Sequence, residues 1–124
     1  MAIDGVSCRI LGLELHEALE GARLDKIHQP ERQLIVLQFR KDRENMRLAL
    51  SVDPANPAVY PATETPPNPD SPPGFCMFLR RHLQGTTVTS VSTPGLERII
   101  DFHFSFTTEL GDPDERHLII ELMG

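Results

Sequence analysis

The segment Ile100-Asp101-Phe102-His103-Phe104-Ser105-Phe106 carries the clearest pattern in this sequence. Apolar and polar side chains alternate along it, which is the period of a β-strand that buries one of its two faces. We therefore predict a strand whose side chains at positions 100, 102, 104 and 106 all face one hydrophobic core.

Further strand-like runs lie on both sides of this segment. Residues 34–39 are apolar on both faces, which predicts a central strand covered on both sides. The charged link 40–45 predicts a hairpin turn. The remaining predicted strands cover 23–29, 47–51, 59–60, 86–92 and 118–122.

Two helices are predicted, near residues 6–19 and 74–84. The first has a wide apolar face made of Val6, Ile10, Leu13, Leu11, Leu15 and Leu19. The second is expected to begin after Ser71-Pro72-Pro73, with Ser71 as the capping residue. Its predicted apolar stripe consists of Phe75, Phe78, Leu79, His82 and Leu83.

This order of elements predicts an α+β fold with a mainly antiparallel sheet or flattened barrel. Eight of the 11 prolines fall between Pro54 and Pro73. Because proline lacks a backbone donor and restricts the residue before it, most of this stretch is expected to be an exposed loop.

Composition limits the function classes. The 124 residues predict a single domain over 1–124, and the net charge of −6 excludes a uniformly basic nucleic-acid-binding coat. Two cysteines, Cys8 and Cys76, are too few for a disulfide framework. With neither a membrane-length apolar run nor a secretory signal in the sequence, we expect a cytoplasmic protein that does not contact a membrane.

The five histidines lie on different predicted elements without metal-ligand spacing, so we expect no metal site and no cofactor. Basic residues are more informative. Between positions 23 and 47 there are seven of them against four acids, and Arg80, Arg81 and Arg98 lie further along. Composition alone favours a solvated charged face over a phosphate-binding patch.

Several motifs together resemble the N-terminal domain of the NFACT family. They are Asp4-Gly5, Gly21 with Arg23, Lys26-Ile27-His28-Gln29-Pro30, Leu50-Ser51, Pro72-Pro73-x-Phe75-Cys76-Met77-x-Leu79-Arg80-Arg81-x-Leu83-x-Gly85, Gly95-Leu96-x-Arg98-Ile99, Gly111-Asp112 and Glu121-x-Met123-Gly124. The resemblance runs from end to end, and the Pro-Pro-x-Phe-Cys-Met helix entry is its most specific part.

The resemblance implies a function in ribosome-associated quality control. Members of this family bind a large ribosomal subunit that carries a stalled peptidyl-tRNA. They recruit tRNA so that the nascent chain receives a C-terminal tail, which is alanine in bacteria. The implied fold is a flattened barrel or two-sheet sandwich flanked by two helices, similar to the N-terminal domain of formamidopyrimidine-DNA glycosylases. The expected nucleic-acid-binding residues are Glu97, Arg98, Arg80, Arg81, Arg23 and Lys26, where Glu97 replaces the family's Asp.

Two rival functions follow from the same resemblance. The glycosylases use an N-terminal proline amine, whereas this chain begins Met1-Ala2-Ile3, so we expect no enzyme activity and no catalytic residues. The family's older name, fibronectin-binding protein A, suggests an adhesin with fibronectin as its partner. Because family members continue beyond Met123-Gly124, we expect this chain to be a fragment cut before its last strand. We also expect such a fragment to self-associate through an exposed edge.

Overall fold

The computed structural model describes residues 4–63 and 71–122. Residues 64–70 of the predicted proline-rich loop, and the ends of the chain, lie outside this description. The elements in chain order are α1 (Gly5–Leu19), β1 (Arg23–Glu31), β2 (Leu34–Lys41), β3 (Glu44–Ser51), β4 (Ala58–Pro61), α2 (Gly74–Leu83), β5 (Thr87–Ser92), β6 (Ile99–Thr107) and β7 (Pro113–Glu121).

The strands form one antiparallel sheet in the order β4-β3-β2-β1-β5-β6-β7. The α+β class, the antiparallel pairing and the two helices are confirmed. The sheet differs from a flattened barrel because it stays open: within residues 4–63 and 71–122, β4 and β7 are its edges and do not pair with each other.

The joint between β1 and β5 is short. Arg23 lies opposite Thr87, and the Leu24 amide donates to the Thr86 carbonyl at 2.8 Å. Because the strands are antiparallel, β1 and β5 then run away from this joint in opposite directions.

Beyond the joint, α2 lies where a further strand would otherwise pair with β1. The Arg80 Nε donates to the Ile27 carbonyl at 2.8 Å, and the Gln84 Nε2 donates to the Asp25 carbonyl at 3.2 Å. The Cys76 Sγ also lies 3.7 Å from the Ile27 oxygen. Side chains of a helix therefore satisfy carbonyls that a sheet partner would ordinarily satisfy.

One hydrophobic core draws on all nine elements. Ile100, Phe102 and Phe104 are fully buried, which confirms the predicted register of β6. Phe106 keeps the same parity but is only half-buried, since the strand there reaches the rim of the core. The Arg116 guanidinium lies over its ring, 4.1 Å from the centroid.

The buried face of α1 is narrower than predicted. Its buried residues are Cys8, Gly12, Leu15 and Leu19, whereas Val6, Ile10 and Leu13 are exposed. Gly12 faces β5 so closely that a Cβ there would lie 2.5 Å from the Thr93 Cγ2. This close approach of α1 to the end of β5 accounts for a glycine inside the helix.

The predicted apolar stripe of α2 is wrong in part. Cys76, Leu79 and Leu83 are buried, but Phe75 and Phe78 are 54% and 57% exposed. Because α2 faces β1 along one narrow side, the small Cys76 fits there and the larger phenyl rings face outward. Ser71 is not the cap: Pro73 occupies the N-cap position, without a side-chain capping bond.

Candidate nucleic-acid interface

Two of the motifs quoted above meet at the N-terminus of α1. The Asp4 carboxylate accepts a 2.7 Å hydrogen bond from the Ser7 amide, which caps the helix and lowers the pKa of Asp4. A Cβ on Gly5 would lie only 1.8 Å from the Leu96 carbonyl oxygen. The absence of a side chain at position 5 therefore lets the 93–98 loop close directly onto the start of α1.

The loop is held at both ends. The Arg9 Nη1 donates to the Gly95 carbonyl at 3.2 Å, and the Leu122 amide donates to the Arg98 carbonyl at 2.7 Å. Helix α1 fixes one end and the segment after β7 fixes the other. The backbone that carries Glu97 and Arg98 is thereby positioned by two separate elements.

The side chains of Glu97 and Arg98 differ in burial. Glu97 is exposed, while Arg98, which immediately precedes β6 with the parity of Ile100, is half-buried at the rim of the core. Within residues 4–63 and 71–122, neither side chain makes a hydrogen bond or an ion pair. A guanidinium held in this way can bind phosphate through two donors or stack on an unpaired base, and the carboxylate can accept from a base amino group or a 2′-hydroxyl.

Other predicted residues lie on the face of β1, β2 and β3 that points away from the main core. Lys26 lies opposite Gln38, and Gln38 lies opposite Arg47, so the three side chains form a row across the strands. The Arg47 Nε donates to the Gln38 Oε1 at 3.3 Å. Arg80 reaches the same region from α2, since its Nε is held by the Ile27 carbonyl.

His28 lies close to all three of these cations. Burial lowers the pKa of His28, and the nearby charges of Arg80, Lys26 and Arg47 lower it further. We call Lys26, Arg47 and Arg80, together with His28, the basic face. Arg47 is not among the residues predicted from the sequence, although the predicted hairpin turn at 40–45 aligns it with Gln38.

The remaining predicted residues divide between two places. Arg23 lies opposite Arg40 on β2. Both belong to the same outer surface as the basic face, at the end where β1 pairs with β5. Arg81 instead lines a cleft at the end of α2 with Phe106, Glu109 and Asp114. Arg116 also lines this cleft, so two arginines and two acids surround it. The structure therefore places Arg81 in a different surface from its neighbour Arg80.

Glu97 and Arg98 are distant from the basic face. Thr87 joins Arg23 across the joint and pairs with Ser105 on β6. At about 3.3 Å per residue, roughly 23 Å of strand separates Ser105 from Arg98. Since β1 continues from the joint in the other direction, the six predicted residues do not form one site.

Two histidines that the sequence left apart come together on the outer face of β6 and β7. The rings of His103 and His117 stack with centroids 4.2 Å apart. His103 lies 2.8 Å from the Glu115 carboxylate and His117 lies 2.8 Å from that of Asp101. Across the described parts of the chain, no three His, Cys, Asp or Glu residues converge to hold a metal.

The comparisons with known proteins decide the family. A sequence model described as NFACT N-terminal and middle domains matches residues 4–124. The chain belongs to the NFACT family. Both the family and the α+β fold implied by the resemblance are therefore confirmed.

Curated relatives of this NFACT chain include ribosome quality control factors. It is 36% identical over 124 residues to the Rqc2 homolog RqcH of Bacillus subtilis, which covers all of this chain and 22% of that relative. It is 26% identical over 117 residues to the human ribosome quality control complex subunit NEMF, covering 94% of this chain and 10% of NEMF. The chain thus spans about a fifth or less of these relatives.

Solved structures support the same family. The N-terminal domain of the fibronectin-binding protein PavA from Streptococcus pneumoniae superposes with a TM-score of 0.90 at 37% identity, covering 98% of this chain and 46% of that one. The fibrinogen-binding protein from Staphylococcus aureus gives 0.87 at 31%, covering 100% and 44%. In the segments described, no helix of this NFACT chain combines the length and apolar character needed to cross a bilayer.

Proposed function

We propose that this NFACT chain binds tRNA and the large ribosomal subunit in the cytoplasm, in a protein that recruits tRNA to stalled subunits for C-terminal alanine tailing. The observation that carries the proposal is the loop 93–98 seated on Gly5. It presents the Glu97 and Arg98 side chains without partners among the described residues. The family's ribosome quality control relatives supply the biological setting.

The proposed role is binding and not catalysis. Arg98 supplies charge and planar stacking, which recognise phosphate and an unpaired base. Glu97 would be repelled by phosphate, so it accepts from a base amino group or a 2′-hydroxyl, or it orients Arg98. A glutamate in place of aspartate moves that acceptor outward by one methylene.

The Arg98→Ala substitution, introduced into the gene so that the whole gene product carries it, tests whether Arg98 binds tRNA. We expect tRNA co-purification and alanine tails on stalled chains to be lost, while sedimentation with large subunits persists through other contacts. Arg32→Ala is the matched control, because it removes an exposed arginine from the turn between β1 and β2. Normal tailing by a folded Arg98→Ala protein would overturn the assignment.

Fibronectin remains the alternative partner because PavA, a structural neighbour, is named for binding it. An adhesin must be displayed on the cell surface, whereas a quality control factor sediments with ribosomes. Fractionation of cells with an antibody against this protein separates the two functions. Its recovery on intact cells and its absence from ribosomal fractions would favour the adhesin.

A further inference from the structure

We infer that the basic face is a second phosphate-binding surface, separate from Glu97 and Arg98, that takes the sugar-phosphate backbone of RNA. The inference rests on the proposed function for the choice of RNA among polyanions. Three cations from three different elements lie close to the imidazole of His28. Lys26 comes from β1, Arg47 from β3 and Arg80 from α2.

The two guanidinium groups are oriented by neutral acceptors. Arg80 uses its Nε for the Ile27 carbonyl, and Arg47 uses its Nε for the Gln38 amide oxygen. The Arg47 Nη1 also donates to the Thr63 carbonyl at 3.5 Å. A guanidinium has five N–H donors, so each group keeps donors that can reach a phosphate oxygen. In the described parts of the chain, these contacts therefore orient the two guanidinium groups without pairing them with a carboxylate.

Among the residues that the structure describes, no carboxylate forms an ion pair with these three cations. Within residues 4–63 and 71–122, every ion pair joins a histidine to an acid, and none includes Lys26, Arg47 or Arg80. Burial lowers the pKa of His28, and the positive charges of Arg80, Lys26 and Arg47 lower it further, because like charges repel one another. A local cluster of cations attracts an anion even on a chain whose net charge is −6, because the anion reduces the repulsion among the cations.

A backbone of regularly spaced phosphates fits this surface better than a single small anion. The row from Lys26 to Arg47 crosses three strands, and adjacent strands lie about 4.8 Å apart. Arg23 and Arg40 extend the row of cations toward the joint. Interactions of this kind fix position and add affinity without reading sequence.

The test measures equilibrium binding of a fluorescently labelled RNA stem-loop over a range of KCl concentrations. The variant Lys26→Gln with Arg47→Gln removes two charges from the basic face, and Arg32→Gln with Lys41→Gln removes the same charge elsewhere. Lys41 is a suitable control residue. It lies on β2, next to the strands of the basic face, but its side chain has the parity of the core-facing residues and so lies on the other face of the sheet. Thermal unfolding shows whether each variant is folded.

We expect the basic-face variant to weaken RNA binding severalfold at low salt. Its slope of log affinity against log salt should fall by about 1 for each phosphate that the variant no longer binds. The matched variant should bind as the unaltered protein does. Equal affinity and slope in the two double variants would overturn the inference.

Arg98→Ala in the same assay separates the inference from the proposed function. If Arg98→Ala weakens binding and the basic-face variant does not, the second surface is wrong while the proposed function stands. If only the basic-face variant weakens binding, the second surface stands and the role of Arg98 is wrong. If polyglutamate binds more tightly than the stem-loop at equal ionic strength, and the basic-face variant loses that tighter binding, the surface belongs to an acidic polypeptide instead.

Proton NMR of the His28 imidazole gives a local readout. RNA phosphates beside the three cations would offset their charge, so the pKa of His28 should rise when the stem-loop binds. An unchanged His28 titration under saturating RNA would place the RNA elsewhere and contradict the inference.

Discussion

Gly5 positions the loop that forms the proposed tRNA site. The loop that carries Glu97 and Arg98 approaches α1 at a point where only hydrogen fits. Asp4 caps the helix at the same place, so one dipeptide both starts α1 and receives the loop. Packing therefore explains the motif Asp4-Gly5. The motif affects RNA binding by positioning the loop that carries Glu97 and Arg98.

Gly5→Ala should destabilise the protein by roughly 1–3 kcal/mol, the usual cost of overpacking. The added methyl would collide with the Leu96 carbonyl, and the loop has to move. Gly74→Ala is the control, since a Cβ there meets nothing within 4 Å at the start of α2. Denaturant unfolding compares the two, and equal stability would contradict the described packing.

His28 gives the expected pH dependence. Its pKa is below the ordinary value of 6.5, so the unfolded chain binds its proton at higher pH than the folded chain does. The contribution of His28 to stability is present above pH 6.5 and is lost as the pH falls through the folded-state pKa. Unfolding of the His28→Gln variant should show less loss of stability on acidification, and an identical pH profile would argue against this environment.

At the scale of elements, β6 is the strand that organises the core. Phe104→Ala should cost roughly 3–5 kcal/mol because the ring is fully buried. Phe75→Ala, which removes a half-exposed ring from α2, should change the free energy of unfolding by less than about 1 kcal/mol. Comparable losses for the two variants would show that the burial of α2 and β6 has been assigned wrongly.

Local sequence patterns predicted most helices and strands but not which of them pack or pair with one another. The period-two alternation predicted β6 because a strand that buries one face alternates apolar and polar side chains at adjacent positions. The apolar stripe of α2 was partly wrong because the helix packs against β1, which is distant in sequence, and the pattern counts Phe75 as buried. The short joint between β1 and β5 likewise depends on long-range pairing and leaves no local signal.

The candidate site shows the same division. Glu97 and Arg98 are site residues that only the resemblance predicts, and the half-burial of Arg98 agrees with the rim position that the parity of β6 predicts. Only the tertiary structure shows that Arg80 and Lys26 share a surface with Arg47. It also separates Arg81 from them, because consecutive residues on a helix face different directions.

At the scale of the whole molecule, the open sheet has an accessible edge at β7. Within the described residues β7 pairs only with β6, and Ile119 on this strand is 56% exposed. We predict concentration-dependent self-association of the 124-residue chain in sedimentation experiments, because unpaired strand edges recruit other chains.

Ile119→Lys should reduce this association, since a charged residue on an edge strand disfavours pairing. Leu13→Lys, on the exposed side of α1, should leave it unchanged. Monomeric behaviour of the unaltered chain at high concentration would contradict the prediction.

The most direct test of the central claim is the equilibrium affinity of this chain for tRNA, measured for the unaltered protein, Arg98→Ala and Arg98→Lys. We predict that Arg98→Ala loses specific tRNA binding while its unfolding free energy changes by less than about 1 kcal/mol. Arg98→Lys should recover little of the binding, because lysine lacks the planar guanidinium that pairs and stacks. Unchanged tRNA affinity in a folded Arg98→Ala protein would contradict the claim that this loop is the tRNA site.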